Sequence, residues 1–160
     1  MHHVFVTGLG AYFPGPPIDN DEVERVLGMV FGNPSRMKRR VLAQNGIRTR
    51  HYALDAEGKS THQNEDLAKA AIDAALGDAG REPKDVDCLS VGTSQADLLL
   101  PGFGSMVQAA AELPPCQLIQ TSGICNAGVM AFRAAWSQVR LGEAKNALVV
   151  ASELASRSLK

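Results

Sequence analysis

From Asn126 to Gly142 the sequence reads NAGVMAFRAAWSQVRLG. Read as a helix, its first half carries apolar residues on every side, through Val129, Met130, Ala131, Phe132, Ala134 and Ala135. A surface helix shows one apolar stripe and one polar face, so a helix apolar all round belongs in an interior. It needs something to cover it from every direction. No other stretch restricts the fold as much.

What surrounds it reads as alternating strand and helix. HVFVTGLGAYFPG at the start is a short apolar run closed by glycines, predicting a buried strand entering a turn. Asp19-Asn20-Asp21 offers N-caps for a short helix EVERVL that ends at Gly28. A basic helix follows in PSRMKRRVLAQ, stopped by Asn45-Gly46, and a polar stretch at 56–61 reads as an exposed loop. EDLAKAAIDAALGDAG is an amphipathic helix with Leu67, Ala71, Ala74, Ala75 and Asp78 at helical spacing and glycines at its end. VDCLSVGTS is a strand by its β-branched content, PGFGSMVQAAAEL a helix with Pro101 near its first turn, CQLIQ a short strand and NALVVAS another. This order implies an α/β sheet with helices on both faces.

Composition narrows the function classes. A chain of 160 residues is long enough for one ordinary domain with a substantial core, and its formal charge of −1 gives no electrostatic footprint for nucleic acid. No apolar run is long enough to span a bilayer, and the first dozen residues lack the pattern of a signal peptide. Three cysteines, Cys88, Cys116 and Cys125, are odd in number and not spaced as CxxC, which argues against a disulfide framework or a zinc site. No metal site is expected, and the place expected for the protein is the cytoplasm, with reduced thiols. A metal- or nucleotide-binding domain is a poor reading, since GxGxxG after the first strand, GKS or GKT, and ligand clusters are all lacking.

The chemistry-bearing stretch is TSGICNAG, Thr121–Gly128, which puts Cys125 where a strand hands over to the apolar helix. The thiolate is the nucleophile, and the positive end of a helix favours it. Gly123 allows a sharp turn, Ala127 and Gly128 leave room for a substrate, and backbone N–H groups in the first turn would stabilise an oxyanion. A second reading stands beside this one: free cysteine is often simply a small buried apolar side chain.

Four segments, in order, also carry a resemblance. They are VTGLGAYFPG with a following Asn20; NGIRTRHY; DVDCLSVGTS with Pro101 after it; and CNAG followed by LGEAKNALVVASE. Together they resemble the N-terminal half of a β-ketoacyl-acyl-carrier-protein synthase III, a thiolase-fold condensing enzyme. The resemblance implies a layered α-β-α-β-α architecture in the complete protein, with residues 1–160 as an N-terminal half-domain that stops before the last strand of its half. It implies that Cys125 takes an acyl group from a thioester, and that the carbanion of a decarboxylated malonyl- or β-ketoacyl-type extender then attacks the acyl-cysteine. Fatty-acid initiation and natural-product biosynthesis are both compatible with that chemistry. Acyl carrier protein and a second copy of the chain are the implied partners. The implied substrate is acyl-CoA or a phosphopantetheine-bound acyl group, with no tightly bound cofactor.

The same resemblance shows what is missing. A histidine, an asparagine and a glycine amide that complete such a site belong to the second half, absent from this chain. His2 and His3 are terminal, and His51 and His62 read as surface residues. The chain is therefore expected to be a piece of a longer protein or one of two assembled chains, and alone it would expose the walls of its central helix and a sheet edge. Members that prime from acyl-CoA carry a tryptophan and an arginine before the GIR segment, and here those positions hold Arg40 and Gln44. The basic run Arg36, Lys38, Arg39 and Arg40 would instead meet a phosphopantetheine phosphate or an acidic carrier protein, or is simply a solvated helix face.

By position Leu100, before Pro101, would shape the partner's acyl pocket. Leu98, Leu99 and Leu100 also read as packing a loop, with Phe103 and Met106 as neighbours that the sequence does not place. Cys88 and Cys116 read as structural residues in strands, and Trp136 as core. Two further readings remain: an acyltransferase of the same fold that passes the Cys125-bound acyl group to an alcohol or amine, and a non-catalytic half or partner subunit of a synthase.

Overall fold

Short polar side chains and left-handed glycines punctuate the first of two compact units in the computed structural model, which describes residues 1–155. This unit is Phe13–His62 with Leu154 and Ala155. Strand β1 (Ile18–Asp19) leads into helix α1 (Val23–Leu27). The Asp19 carboxylate accepts the N–H groups of Asp21 at 2.8 Å and Glu22 at 3.1 Å, satisfying donors that a helix start leaves open. Helix α2 (Lys38–Asn45) ends at Gly46, whose φ of 68° is left-handed and suits a residue without Cβ. Strand β2 (Thr49–Arg50) then pairs antiparallel with β1. Glu24 of α1 accepts from Lys38 Nζ at 2.8 Å and from the Ser35 N–H at 2.7 Å. These two bonds, the lysine's first, hold the Glu24 carboxyl below its ordinary pKa.

The second unit comprises Met1–Tyr12 and Gln63–Glu153. Helix α3 (Asn64–Ala79) opens with a capping box between Gln63 and Asp66 and closes at left-handed Gly80. Its core face is Leu67, Ala68, Ile72 and Leu76, so of the residues expected to form the stripe only Leu67 lies on it. Alanine fits either side of a helix, and Ala71, Ala75 and Ala79 serve a different contact. A Cβ on Gly10 would stand 2.4 Å from the Ala71 carbonyl oxygen and 2.3 Å from the Ala75 nitrogen, and one on Gly8 would stand 2.7 Å from the Ala79 Cβ. The backbone of residues 8–10 thus lies directly on α3, pinned by the Leu9 N–H donating to Asp78 Oδ2 at 2.9 Å.

This overturns the buried first strand. Residues 1–12 form no strand, and Phe5, Val6 and Leu9 are exposed. Apolar, β-branched composition favours an extended chain but supplies no ladder partner. Here side-chain-free glycines dock the segment on a helix instead.

The sheet is parallel, in the order β4-β3-β5, from β3 (Cys88–Thr93), β4 (Gln117–Ser122) and β5 (Ala147–Ala151). Central β3 is buried at every residue. Alternation turns Leu89 and Val91, with Leu148 and Val150, towards Ile72 of α3 and towards Phe103 and Val107 of helix α4 (Phe103–Ala110). Ser90 and Gly92 point the other way, under helix α5 (Ala127–Leu141). The expected α/β sheet with helices on both faces is present.

Helix α5 buries Ala127, Ala131 and Ala135, one residue per turn, against the sheet. The approach is close: a Cβ on Gly92 would stand 2.6 Å from the Ala127 carbonyl, and one on Gly128 would stand 2.8 Å from Ala151 Cβ. The other side of α5 is open, with Val129, Met130, Phe132 and Trp136 exposed. Trp136, expected in the core, is 40% exposed and carries the Arg140 guanidinium 5.1 Å from its ring centroid. The helix is apolar all round as read, but among the described residues only its sheet side is covered. The expected stop before a last strand concerns residues outside those described. No helix among the described residues is long and apolar enough to cross a membrane.

Candidate active site

β4 ends at Ser122, and after Gly123 a single 3-10 turn, Ile124–Asn126, carries Cys125 to the start of α5. The cysteine is exposed at the strand–helix junction, as expected. Two details differ. The N–H groups of Asn126 and Ala127 both donate to the Gly123 carbonyl, at 3.0 and 2.8 Å, so those amides are occupied rather than open to an oxyanion. Ala127 and Gly128 pack closely against Gly92 and Ala151, a use of their small size that the sequence reading did not include. The Thr121 hydroxyl lies 2.8 Å from the Ala127 carbonyl and 3.2 Å from that of Val91, bracing the helix start against the sheet.

The other two thiols behave as structural residues. Cys88 is fully buried, and burial above all, then the neighbouring Cys116 and Asp87, raises its pKa. Cys116 is half-buried, directly before β4, and is raised mainly by burial as well. Cys125 alone of the three is solvent-exposed.

The remaining candidates lie on other elements. Arg40 and Gln44 are exposed, four residues apart on one face of α2, and belong to the smaller unit. Within the basic run, Lys38 is taken up by Glu24, which leaves Arg36, Arg39 and Arg40 as its exposed members. Leu98, Leu99 and Leu100 were expected in part to pack a loop. All three are exposed, Leu99 at 96% and Leu100 at 86%, because the segment projects past the end of β3 with nothing over it among the described residues. Phe103 lies fully in the core and Met106 is half-buried, so Phe103 is not a neighbour for a surface pocket. His51 and His62 are half-buried rather than open. The first has Nδ1 3.0 Å from the Gly15 carbonyl and its ring against Phe13; the second has Nδ1 2.8 Å from Thr61 Oγ1. No cluster of His, Cys, Asp and Glu among the described residues could hold a metal ion.

A polar network at the C-terminal ends of β3 and β5 went unread in the sequence. Asn64, fully buried, donates through Nδ2 to Thr93 Oγ1 at 3.2 Å and to the Ser152 carbonyl at 3.3 Å. Its Oδ1 accepts from Ser152 Oγ at 2.7 Å, and the Ser152 N–H donates to the Gly92 carbonyl at 3.2 Å. Beside it the Ser94 N–H donates to Glu153 Oε1 at 2.6 Å, and the Ser94 hydroxyl donates to the Ile124 carbonyl at 2.5 Å. The available signal was polar pairs, Thr93-Ser94 and Ser152-Glu153, closing two apolar strands.

No family model matches the chain. It is similar to the β-ketoacyl-acyl-carrier-protein synthase III of Cereibacter sphaeroides, with 36% identity over 152 residues, 95% of this chain and 43% of the relative. Among solved structures, a tetronic acid condensing enzyme superimposes with a TM-score of 0.78 at 31% identity, over 95% of this chain and 46% of that one. The 3-oxoacyl-acyl-carrier-protein synthase III of Pseudomonas aeruginosa gives 0.74 at 28% identity, over 95% and 43%. The chain spans less than half the length of the curated relatives it matches. The likeness runs nearly end to end along this chain, and it bears out the resemblance carried by the four segments and the thiolase-type α/β fold.

Proposed function

From a likeness to β-ketoacyl-acyl-carrier-protein synthases III over 95% of the chain, we propose that it supplies the nucleophilic half of an acyl-thioester condensing enzyme. One observation carries the reading: the only exposed thiol stands on the turn between a parallel strand and the helix that strand feeds. In the reaction the Cys125 thiolate attacks the carbonyl of an acyl thioester, and the CoA or phosphopantetheine thiol leaves. A malonyl-type thioester then loses carbon dioxide, or a β-ketoacyl-type thioester gives up a C2 proton to a base. The carbanion attacks the acyl-cysteine, forming a carbon–carbon bond and expelling the Cys125 thiolate. The groups that assist decarboxylation are assigned by the resemblance to a second half. A second copy of the chain and an acyl carrier protein are the proposed partners. The acyl donor is CoA- or carrier-bound, and no tightly held cofactor is called for.

Arg40 and Gln44 are proposed to face the donor's phosphopantetheine arm. Two exposed side chains one helical turn apart, with Arg36 and Arg39 nearby, suit a phosphate better than an aromatic-stacked nucleotide base. Leu100, nearly free of its own chain, is proposed to reach a partner's acyl pocket.

The test is denaturing intact-mass spectrometry after incubation with a panel of acyl thioesters. The expected result is one acyl increment, lost in Cys125→Ala, whose size names the donor. A protein that gains no acyl group from any donor, or gains it equally in Cys125→Ala, removes the reading. An increment that then moves to an alcohol or amine, with no carbon–carbon product, supports the acyltransferase instead.

A further inference from the structure

The turn that carries Cys125 is short, and its own hydrogen bonds close only on Gly123. One side chain reaches it from another element at the residue directly before the cysteine. The Ser94 hydroxyl, from the end of β3, donates to the Ile124 carbonyl. Ser94 is itself fixed, because its N–H is held by the Glu153 carboxylate at 2.6 Å. Glu153 follows Ser152, whose hydroxyl donates to Asn64 Oδ1 and whose carbonyl accepts from Asn64 Nδ2, the same buried amide that donates to Thr93 at the β3 end. A continuous path therefore runs from a buried polar anchor, through a charge-assisted bond, to the backbone of the nucleophile's turn. All of these residues lie in one unit.

We propose that Ser94, held by Glu153, is a positioning residue that fixes the Ile124-Cys125 peptide and thereby aims the Cys125 thiol. The proposal rests on Cys125 being the acyl-accepting nucleophile, and it adds the residue that sets that thiol's direction. The physical reason is that a nucleophile has to meet a carbonyl within a narrow range of distance and angle, and a displacement of about 1 Å costs on the order of 100-fold in rate. A turn held at its two ends, by the Gly123 carbonyl and by the Thr121 brace on Ala127, leaves such a displacement open in its middle. Ser94 ties that middle, at Ile124. Nothing in this role needs Ser94 to touch substrate, so its loss should lower the acylation rate and leave donor binding unchanged.

The experiment uses the full chain with Ser94→Ala, Ser94→Thr and Glu153→Ala, with two readouts. The first is the rate of Cys125 acylation by a donor thioester at several concentrations. The second is hydrogen–deuterium exchange of the peptide covering residues 122–128, which requires no catalysis. Ser94→Ala is expected to lower the saturating acylation rate at least tenfold at unchanged half-saturation, and to speed exchange in that peptide severalfold while α3 exchanges as before. Glu153→Ala should do the same more weakly, and Ser94→Thr, which keeps the hydroxyl, should restore both. Wild-type exchange at 122–128 in Ser94→Ala overturns the proposal, as does a slowed acylation that Ser94→Thr fails to rescue. If the wild-type chain is never acylated yet Ser94→Ala loosens the turn, the positioning stands and the nucleophile reading fails. A variant that exchanges fast everywhere is globally destabilised, and the proposal is then rejected unless Glu153→Ala, folded, shows the local loosening.

Discussion

At the scale of single residues, the three thiols of this chain divide by solvent rather than by sequence context. Burial raises Cys88 and Cys116, because a thiolate out of water loses its hydration. Both therefore stay protonated in the folded chain at pH values where an unfolded chain's thiols ionise, from about 8.5 upward. Above that value the unfolded state releases protons that the folded state keeps, so stability falls with rising pH until the folded values are reached. Denaturant unfolding at pH 7.5 and at pH 9.5 should show that fall, and a Cys88→Ala/Cys116→Ala chain should show a smaller one. The same protection predicts that iodoacetamide modifies exposed Cys125 first and Cys88 only on unfolding. Labelling of Cys88 in the folded chain at the rate of Cys125 would contradict the burial on which both expectations stand.

Elements follow a different logic, in which glycine and alanine set distances. Seating α5 on the sheet needs small residues on both partners, supplied by Ala127, Ala131 and Ala135 from the helix and Gly92 from β3. A methyl added at Gly92 meets helix backbone, which cannot swing aside as a side-chain tip can, so the helix itself has to move. Gly92→Ala is expected to cost about 1–3 kcal/mol, the usual range for overpacking a tight core. It should also slow reaction at Cys125, since the moving helix begins two residues beyond the cysteine. Equilibrium unfolding measures the first effect, and a loss below about 0.5 kcal/mol, the range of surface changes, would mean the helix is not seated so closely.

Much of this layout was legible in the sequence. The three sheet strands, α3, α4 and α5 follow from alternating patterns and from glycines at 80 and 142, because local backbone preference and burial agree there. The first strand and the stripe on α3 were misread for one shared reason. Apolar or small residues say that a surface is covered but not by what, and Gly8 and Gly10 supplied a helix-docking surface that the pattern of β-branched residues concealed. For the small pair after Cys125 the sequence offered a chemical reason and did not show the packing one, while Ser94 and Asn64 escaped because a polar contact across 29 or more residues has no periodic signature.

At the scale of the whole molecule, the outer face of α5 decides how this chain behaves in solution. Val129, Met130, Phe132 and Trp136 lie open beside the buried alanine stripe, and β4 carries half-exposed apolar side chains along a sheet edge. Contiguous apolar surface and an unpaired strand edge both promote association. The 160-residue chain at micromolar concentration should therefore run larger than a monomer by light scattering and should bind a hydrophobic dye. Replacing the two largest side chains, as F132Q/W136Q, leaves Ala127, Ala131 and Ala135 untouched, so the helix keeps its seat and the far-ultraviolet spectrum should not change. Its association and dye binding should fall. If they do not, the β4 edge or the Leu98–Leu100 projection carries the contact, and the open helix face is not the adhesive surface. The same double change has the opposite sense in any assembly that covers α5. There each buried glutamine amide without a partner costs about 1–3 kcal/mol, so the assembly should weaken while the isolated chain improves. That reversal of sign separates a face awaiting cover from one that is merely exposed.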